Sequence, residues 1–447
     1  MNTPEWEALR AFRHQVYNTA FGCRRDALFE ALDAVLTAPS LETPAHLSLA
    51  PNCHRGWGSL YDALNAGTMD LARLERLAAS YHLEPQTPWF ALDARVWPRC
   101  DAETSPERGY YHHPCRHSHG QPIVAGWNYS WLAQVPRRCS SWIAPLRVRR
   151  SIPGENLNLV AAEQIRSWLG QAGPLATGAG VPIFTFDAGY DAVQLSLASE
   201  DLRVCLPGRL RAGRCFYADP TTQPVTGRPR RHGVKFACDD PATWPVPTAR
   251  WSVTDPQYGS ICVQAWSGLH ATPQNHATPG TRQPRPLIRG TLIRLEVEHL
   301  PRPTKVPTPL WFWWSGRTPP DLAEIWQAYT ARFSLEHTFR FFKQTLRWTV
   351  PKRSAPRAAD RWTWLLILAY VHLRLARDAV ADVRLPWQAP LPPARRTPAR
   401  VRRAFSQLLT QLGSPVCAPK PCGHSPGRPR GKRSPPAPRF SAVKLTP

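Results

Sequence analysis

Over the first 85 or so residues, apolar side chains recur at spacings of three and four, as in Ala27, Leu28, Ala31, Leu32 and Val35. That period predicts amphipathic helices. Two such stretches, 59–66 and 69–81, flank Gly67 and read either as a helix-turn-helix or as a helical hairpin that only packs. After Thr87 the pattern shortens to strand-like runs: 89–93, which ends on a carboxylate, then 122–135 and 141–148. A helix over 155–172, a strand over 182–186 followed by Asp187, a helix over 191–198 and a strand over 202–206 complete an alternating order. Such an order predicts an α/β fold whose mixed sheet has a parallel component and is flanked by helices. Residues 207–309 break the alternation, yet 259–266, 290–297 and 310–314 have strong strand propensity. They predict a β-rich insertion instead of one long loop. Helices resume after Pro319-Pro320-Asp321, one of them containing 329–343 and another spanning 360–377.

The pattern divides the chain into a helical N-terminal unit (1–85), an α/β unit in two parts (86–206 and 319–385) split by the β-rich insertion (207–318), and a tail (386–447). After Asp382 the tail has no acidic residue, while Arg395, Arg396, Arg400, Arg402, Arg403, Arg430 and others gather among prolines. A disordered basic tail is expected. Across the 447 residues, 56 Lys+Arg against 32 Asp+Glu give a net charge of +24. The partner is therefore expected to be a polyanion, nucleic acid first. Eleven cysteines scattered from Cys23 to Cys422 do not resemble a secreted disulfide framework. The first residues lack the basic and apolar regions of a signal peptide, and the longest apolar run, 364–371, falls well short of the roughly 18 residues of a membrane span. A cytoplasmic protein with reduced thiols follows as the expectation.

Candidate chemistry centres on the helix over 329–343. At about 100° per residue, Tyr329, Arg332, Glu336 and Lys343 share an arc of roughly 60°. Leu335, Phe339, Phe342 and Leu346 form an apolar stripe beside them. Taken alone this is an ordinary amphipathic helix with a solvated edge. Asp93 and Asp187, each read as the end of a strand, would join Glu336 as three carboxylates at one sheet edge. Hard oxygen ligands in that number suit two Mg²⁺ or Mn²⁺ ions clamping a phosphodiester. Asp101 competes with Asp93 for the first position, and strand geometry favours Asp93.

The spacing Tyr329-x2-Arg332-x3-Glu336-x6-Lys343, together with Asp187-Ala188-Gly189-Tyr190, resembles the signature of bacterial insertion-sequence transposases of the DDE superfamily. These have an RNase H-like catalytic domain and a β-rich insertion before the Glu. The resemblance covers about 85–380. It implies a metal-binding catalytic triad of Asp93, Asp187 and Glu336, with Tyr329, Arg332 and Lys343 contacting DNA phosphates. It also implies strand cleavage and strand transfer on double-stranded DNA ending in inverted repeats, by a protein that pairs as a homodimer on two ends. A DNA-binding derivative without catalysis and a metal-dependent nuclease are the alternative functions.

Three further features leave two readings each. His112, His113, Cys115, His117 and His119 are either zinc ligands or, given their tight spacing, an exposed hairpin loop. Trp311-Phe312-Trp313-Trp314 places at least half of its rings in a core, leaving one or two to stack on a flipped base. Gly227-Arg228-Pro229-Arg230, recurring at 427–430, is either an AT-hook or part of a generic basic surface.

Overall fold

The structure, a computed structural model, describes residues 3–82, 84, 88–113, 122–138, 140–172, 180–222, 229–272, 286–301, 306–316, 318–421, 427, 429–433 and 435–443. Among them, twelve strands make one sheet: β1 (Trp89–Pro98), β2 (Gly109–His112), β3 (Ile123–Gln134), β4 (Ala144–Ser151), β5 (Ile183–Phe186), β6 (Leu206–Leu210), β7 (Cys215–Tyr217), β8 (Lys235–Ala237), β9 (Ala249–Asp255), β10 (Gly259–Ala271), β11 (Ile288–Val297) and β12 (Leu310–Ser315). The order is β2-β3-β1-β5-β6-β12-β11-β10-β7-β8, with β4 on β3 and β9 on β10. β3 is antiparallel to β1 and to β4. β5 runs parallel to β1, and β6 parallel to β5. The run β4-β3-β1-β5-β6 is the RNase H-like arrangement, and its parallel steps are reached through the crossover helices that such pairing requires.

The helices are α1 (Pro4–Gln15), α2 (Arg25–Thr37), α3 (Pro44–Leu47), α4 (Trp57–Ala66), α5 (Leu71–His82), α6 (Leu157–Ala172), α7 (Ala192–Ala198), α8 (Leu322–Ala331), α9 (Phe333–Arg340), α10 (Pro356–Ala376) and α11 (Pro398–Leu412). Strand alternation sorts them onto two faces. Phe90, Leu92, Phe184 and Phe186 point to α6 and α7, where Ile165, Trp168, Val193 and Leu195 meet them. Trp89, Ala91, Trp97, Tyr129 and Trp131 point the other way, into a core shared with the N-terminal helices and with α8 to α11. Odd-numbered positions of β1 therefore face α9.

Two expectations change, those for the 311–314 rings and the tail, and two further readings gain their place in the fold. The hairpin around Gly67 packs into the fold: α4 lies on α2 and α3, and α5 on β4 and α1, with Glu75 paired to Arg147 at 3.0 Å. The strands of 207–318 extend the central sheet, because β12 pairs with β6 with Trp313 opposite Gly208. All four rings of the 311–314 run are buried; Trp313 stacks on Phe216 at 4.9 Å and Phe312 meets Tyr329 edge-on at 4.6 Å, so none is free to receive a base. Finally, the tail is not disordered where it is described. α11 buries Val401, Phe405, Leu408 and Leu409, a helical period that the arginines and prolines had masked. Beyond it Arg13 donates to the Gly413 carbonyl at 3.1 Å and Arg55 to that of Cys417 at 2.8 Å. Further on, Val443 bonds through its backbone to Arg108 and Tyr110. No described helix is long and apolar enough to cross a membrane.

Candidate active site

β1 does not end at Asp93. It continues to Pro98, and what ends beside Asp93 is its parallel neighbour. The β1–β5 pairing runs from Trp89↔Ile183 to Leu92↔Phe186, so Asp93 and Asp187 each follow directly on the last paired residue, near enough for the Asp187 charge to act on Asp93. Both lie at odd positions, on the α9 face. Asp187 is half-buried, and one of its oxygens accepts the Gly189 N–H at 2.9 Å, which holds the carboxylate in the turn after β5.

Glu336 reaches this edge through aromatic packing. Trp131 stands opposite Asp93 in the β1–β3 ladder and meets Phe339 at 5.3 Å and Phe342 at 5.5 Å, both edge-on. Phe339 is three residues from Glu336, on the neighbouring turn, so its packing brings that turn of α9 to the sheet edge, where Arg95 holds the carboxylate. Leu335, Phe339, Phe342 and Leu346 are all buried, as the apolar stripe required.

The expected single helix over 329–343 is in fact three segments. α8 stops at Ala331, α9 begins at Phe333, and Phe341–Thr345 is a π-helical turn. Tertiary contacts override the local period at the first break. Arg332 is drawn to Asp93, with 3.6 Å between Nη1 and Oδ2, and the Ser334 hydroxyl accepts the Ser140 N–H at 2.9 Å. Tyr329 is buried, with its ring beneath the Arg332 guanidinium at 5.7 Å. It serves as a floor for that arginine. Lys343 falls in the π turn, half-buried. Asp101, by contrast, lies in the exposed turn after β1 and faces Lys352 at 3.4 Å. It does not join the cluster. Asp191 caps α7, accepting the Val193 and Gln194 N–H groups.

Sequence reading missed Arg95. Its Nη2 donates to Asp93 Oδ2 at 2.9 Å and to Glu336 Oε1 at 2.5 Å, and its guanidinium rests over the Phe339 ring at 4.7 Å. The signal was the strand period itself, since residue 95 shares a face with residue 93. Asp93 is 2% exposed. Burial pushes its carboxyl up to about 7; Arg95 opposes this and Asp187 adds to it. Burial also opposes the Arg95 charge, but Asp93 and Glu336 outweigh it and hold its pKa above the ordinary arginine value. Tyr190 packs edge-on against Phe186 at 5.7 Å. Burial, then the nearby Asp93 charge, raises its hydroxyl above the usual tyrosine range, so it stays neutral.

Three carboxylates provide the hard oxygen donors that Mg²⁺ and Mn²⁺ take. Among the described residues no three His, Cys, Asp or Glu side chains are gathered closely enough to hold a metal as they stand. Between Asp93 and Glu336 lies the Arg95 guanidinium, a stand-in cation, so the donor set fits a divalent ion in chemistry and in its demand for positive charge. Of the proposed zinc ligands, Cys115, His117 and His119 lie outside the described residues, as do Arg228 and Arg428 of the Gly-Arg-Pro repeats. A family model described as DDE superfamily endonuclease matches residues 17–272, more than half of the chain, including Asp93, Arg95 and Asp187 and stopping short of Glu336. No curated protein matches the chain.

Proposed function

The chain belongs to the DDE superfamily of endonucleases, and on that footing we propose that it is the transposase of an insertion sequence, acting on double-stranded DNA. The observation that carries this reading is the meeting of Asp93 and Glu336, far apart in the chain, on one arginine beside Asp187. In this reading Asp93, Asp187 and Glu336 hold two Mg²⁺ or Mn²⁺ ions. Such ions, when bound, polarise the scissile phosphate and lower the pKa of the attacking water.

The chain's own residues bind and orient the DNA. Arg332 keeps Nε and Nη1 buried without a hydrogen-bond partner among the described residues. Such donors are costly unless something arrives to accept from them, and a phosphate oxygen beside Asp93 meets that need. Tyr329 supports the guanidinium from below, and Lys343 supplies a further cation to the backbone. Water attacks a phosphodiester at the element end and frees a 3′-OH, which then attacks a phosphate of the partner strand or of target DNA. No covalent bond to the protein forms. Recognition of terminal inverted repeats, pairing of two ends by a homodimer, and a cytoplasmic site of action on the bacterial nucleoid belong to the same proposal.

The test is strand cleavage and joining by the wild-type and Glu336→Gln proteins on candidate element ends with Mg²⁺ or Mn²⁺. The variant should keep DNA affinity and lose cleavage by at least about a hundredfold. Equal cleavage would refute the site. Cleavage by the wild type without joining would indicate a nuclease, and DNA binding without cleavage by either protein a non-catalytic derivative.

A further inference from the structure

We propose that Arg95 is an internal counter-ion that competes with metal for the carboxylate site, so that loading the site means displacing its guanidinium. This rests on the metal reading of Asp93, Asp187 and Glu336 given above.

The argument starts from charge. Asp93 is almost wholly buried, and two more carboxylates converge on it. Like charges at such range repel, so the cluster calls for a counter-charge. Arg95 supplies that charge from the same strand face. It does so with a single nitrogen: Nη2 contacts both Asp93 Oδ2 and Glu336 Oε1. Those oxygens are also donors a metal would need, so the guanidinium and the metal cannot both hold them.

Arg95 has a way out. Its side chain is 24% exposed, against 3% for Asp93, and its guanidinium lies over the Phe339 ring at 4.7 Å, a contact that uses none of its N–H donors on a fixed acceptor. Arg332 behaves differently, being 5% exposed and held at 3.6 Å from Asp93. It stays as the fixed cation while Arg95 is the exchangeable one. Once released, Arg95 is a free guanidinium at the rim of the site, available to a DNA phosphate. Metal loading and DNA binding are thereby coupled in the same direction.

The experiment titrates MnCl2 and MgCl2 into the full-length protein and reads thermal stability, with no DNA and no turnover. Arg95→Gln should melt below the wild type without metal, and should bind Mn²⁺ at least about fivefold more tightly. Arg95→Lys, which keeps the charge on a shorter arm, should fall between the two and serves if the glutamine variant does not fold. Adding Asp93→Asn to either variant should remove the gain. Mn²⁺ binding by the Arg95 variants no tighter than by the wild type overturns the counter-ion role alone. No metal response in any of the proteins overturns the metal reading of the triad and this inference with it.

Discussion

At the scale of single residues, burial sets the chemistry of two groups outside the site. His372 on α10 is fully buried, with Nδ1 2.7 Å from the Leu368 carbonyl and its ring edge-on to Phe12. Burial, then the Arg13 charge, pushes its pKa down to about 3. A folded pKa below the unfolded value near 6.5 gives stability that is fully present above that value and is lost as pH falls towards 3. By pH 5 the loss should be about 2 kcal/mol, and His372→Leu should flatten that part of the pH profile in thermal melts; an unchanged slope would sink the assignment. Glu75 titrates in the opposite sense. Burial raises it to about 7 despite Arg147, so its contribution is present below about 4.5 and is lost as pH rises through 7. Residue identity was legible only in part: the preference for Asp93 over Asp101 rested on a strand end, whereas Asp93 lies within β1 and Asp101 in the turn after it, facing Lys352. Arg95 was legible in principle by its period-two relation to Asp93, but no motif drew attention to it.

At the scale of elements, α1 and α2 are joined by a buried bidentate pair. Arg13 donates to Asp33 at 2.6 and 2.9 Å, with both side chains 2% exposed. Removing one partner leaves a buried charge alone, so Asp33→Ala should cost about 3 to 5 kcal/mol, measured by urea denaturation. A double replacement of Arg13 and Asp33 by apolar residues should recover most of it. Existence and type of the long elements were readable: the helices over 155–172 and 360–377 and the strands of the insertion appear within a few residues of their expected places. Three things were not readable. β1 continues past Asp93 because β3 pairs with it as far as Gly126, a partner that lies outside any local window. The break at Arg332 answers to Asp93 across the core. The rings at 311–314 are buried on both faces because helices and other strands cover both sides of the sheet.

At the scale of the whole molecule, one sheet and one large apolar cluster unite the N-terminal helices, the sheet and the C-terminal helices. Net charge and proline content gave a correct impression of a basic chain and a misleading one of residues 398–412, which form α11. Truncation after 385 removes α11 and exposes the surfaces that cover Val401, Phe405, Leu408 and Leu409; at about 1.5 to 3 kcal/mol per buried side chain, the protein should lose cooperative folding. Truncation after 418 keeps α11 and the Gly413 and Cys417 contacts and loses the Val443 and Phe440 bonds to the turn and strand around Arg108, so it should melt a few degrees below the full chain by calorimetry.

The clasp of Trp131 on Phe339 and Phe342 has a consequence for how such chains diversify. Because Trp131 sits opposite Asp93 and Phe339 lies three residues beyond Glu336, the spacing between first and last carboxylate is gauged by a few aromatic rings. The insertion between 207 and 318 has no part in that gauge, whereas Tyr329 and Arg332 stand beside the site. The loops between the insertion's strands can lengthen or shorten without detuning the site, whereas trimming a single ring should shift Glu336 and leave the strands in register.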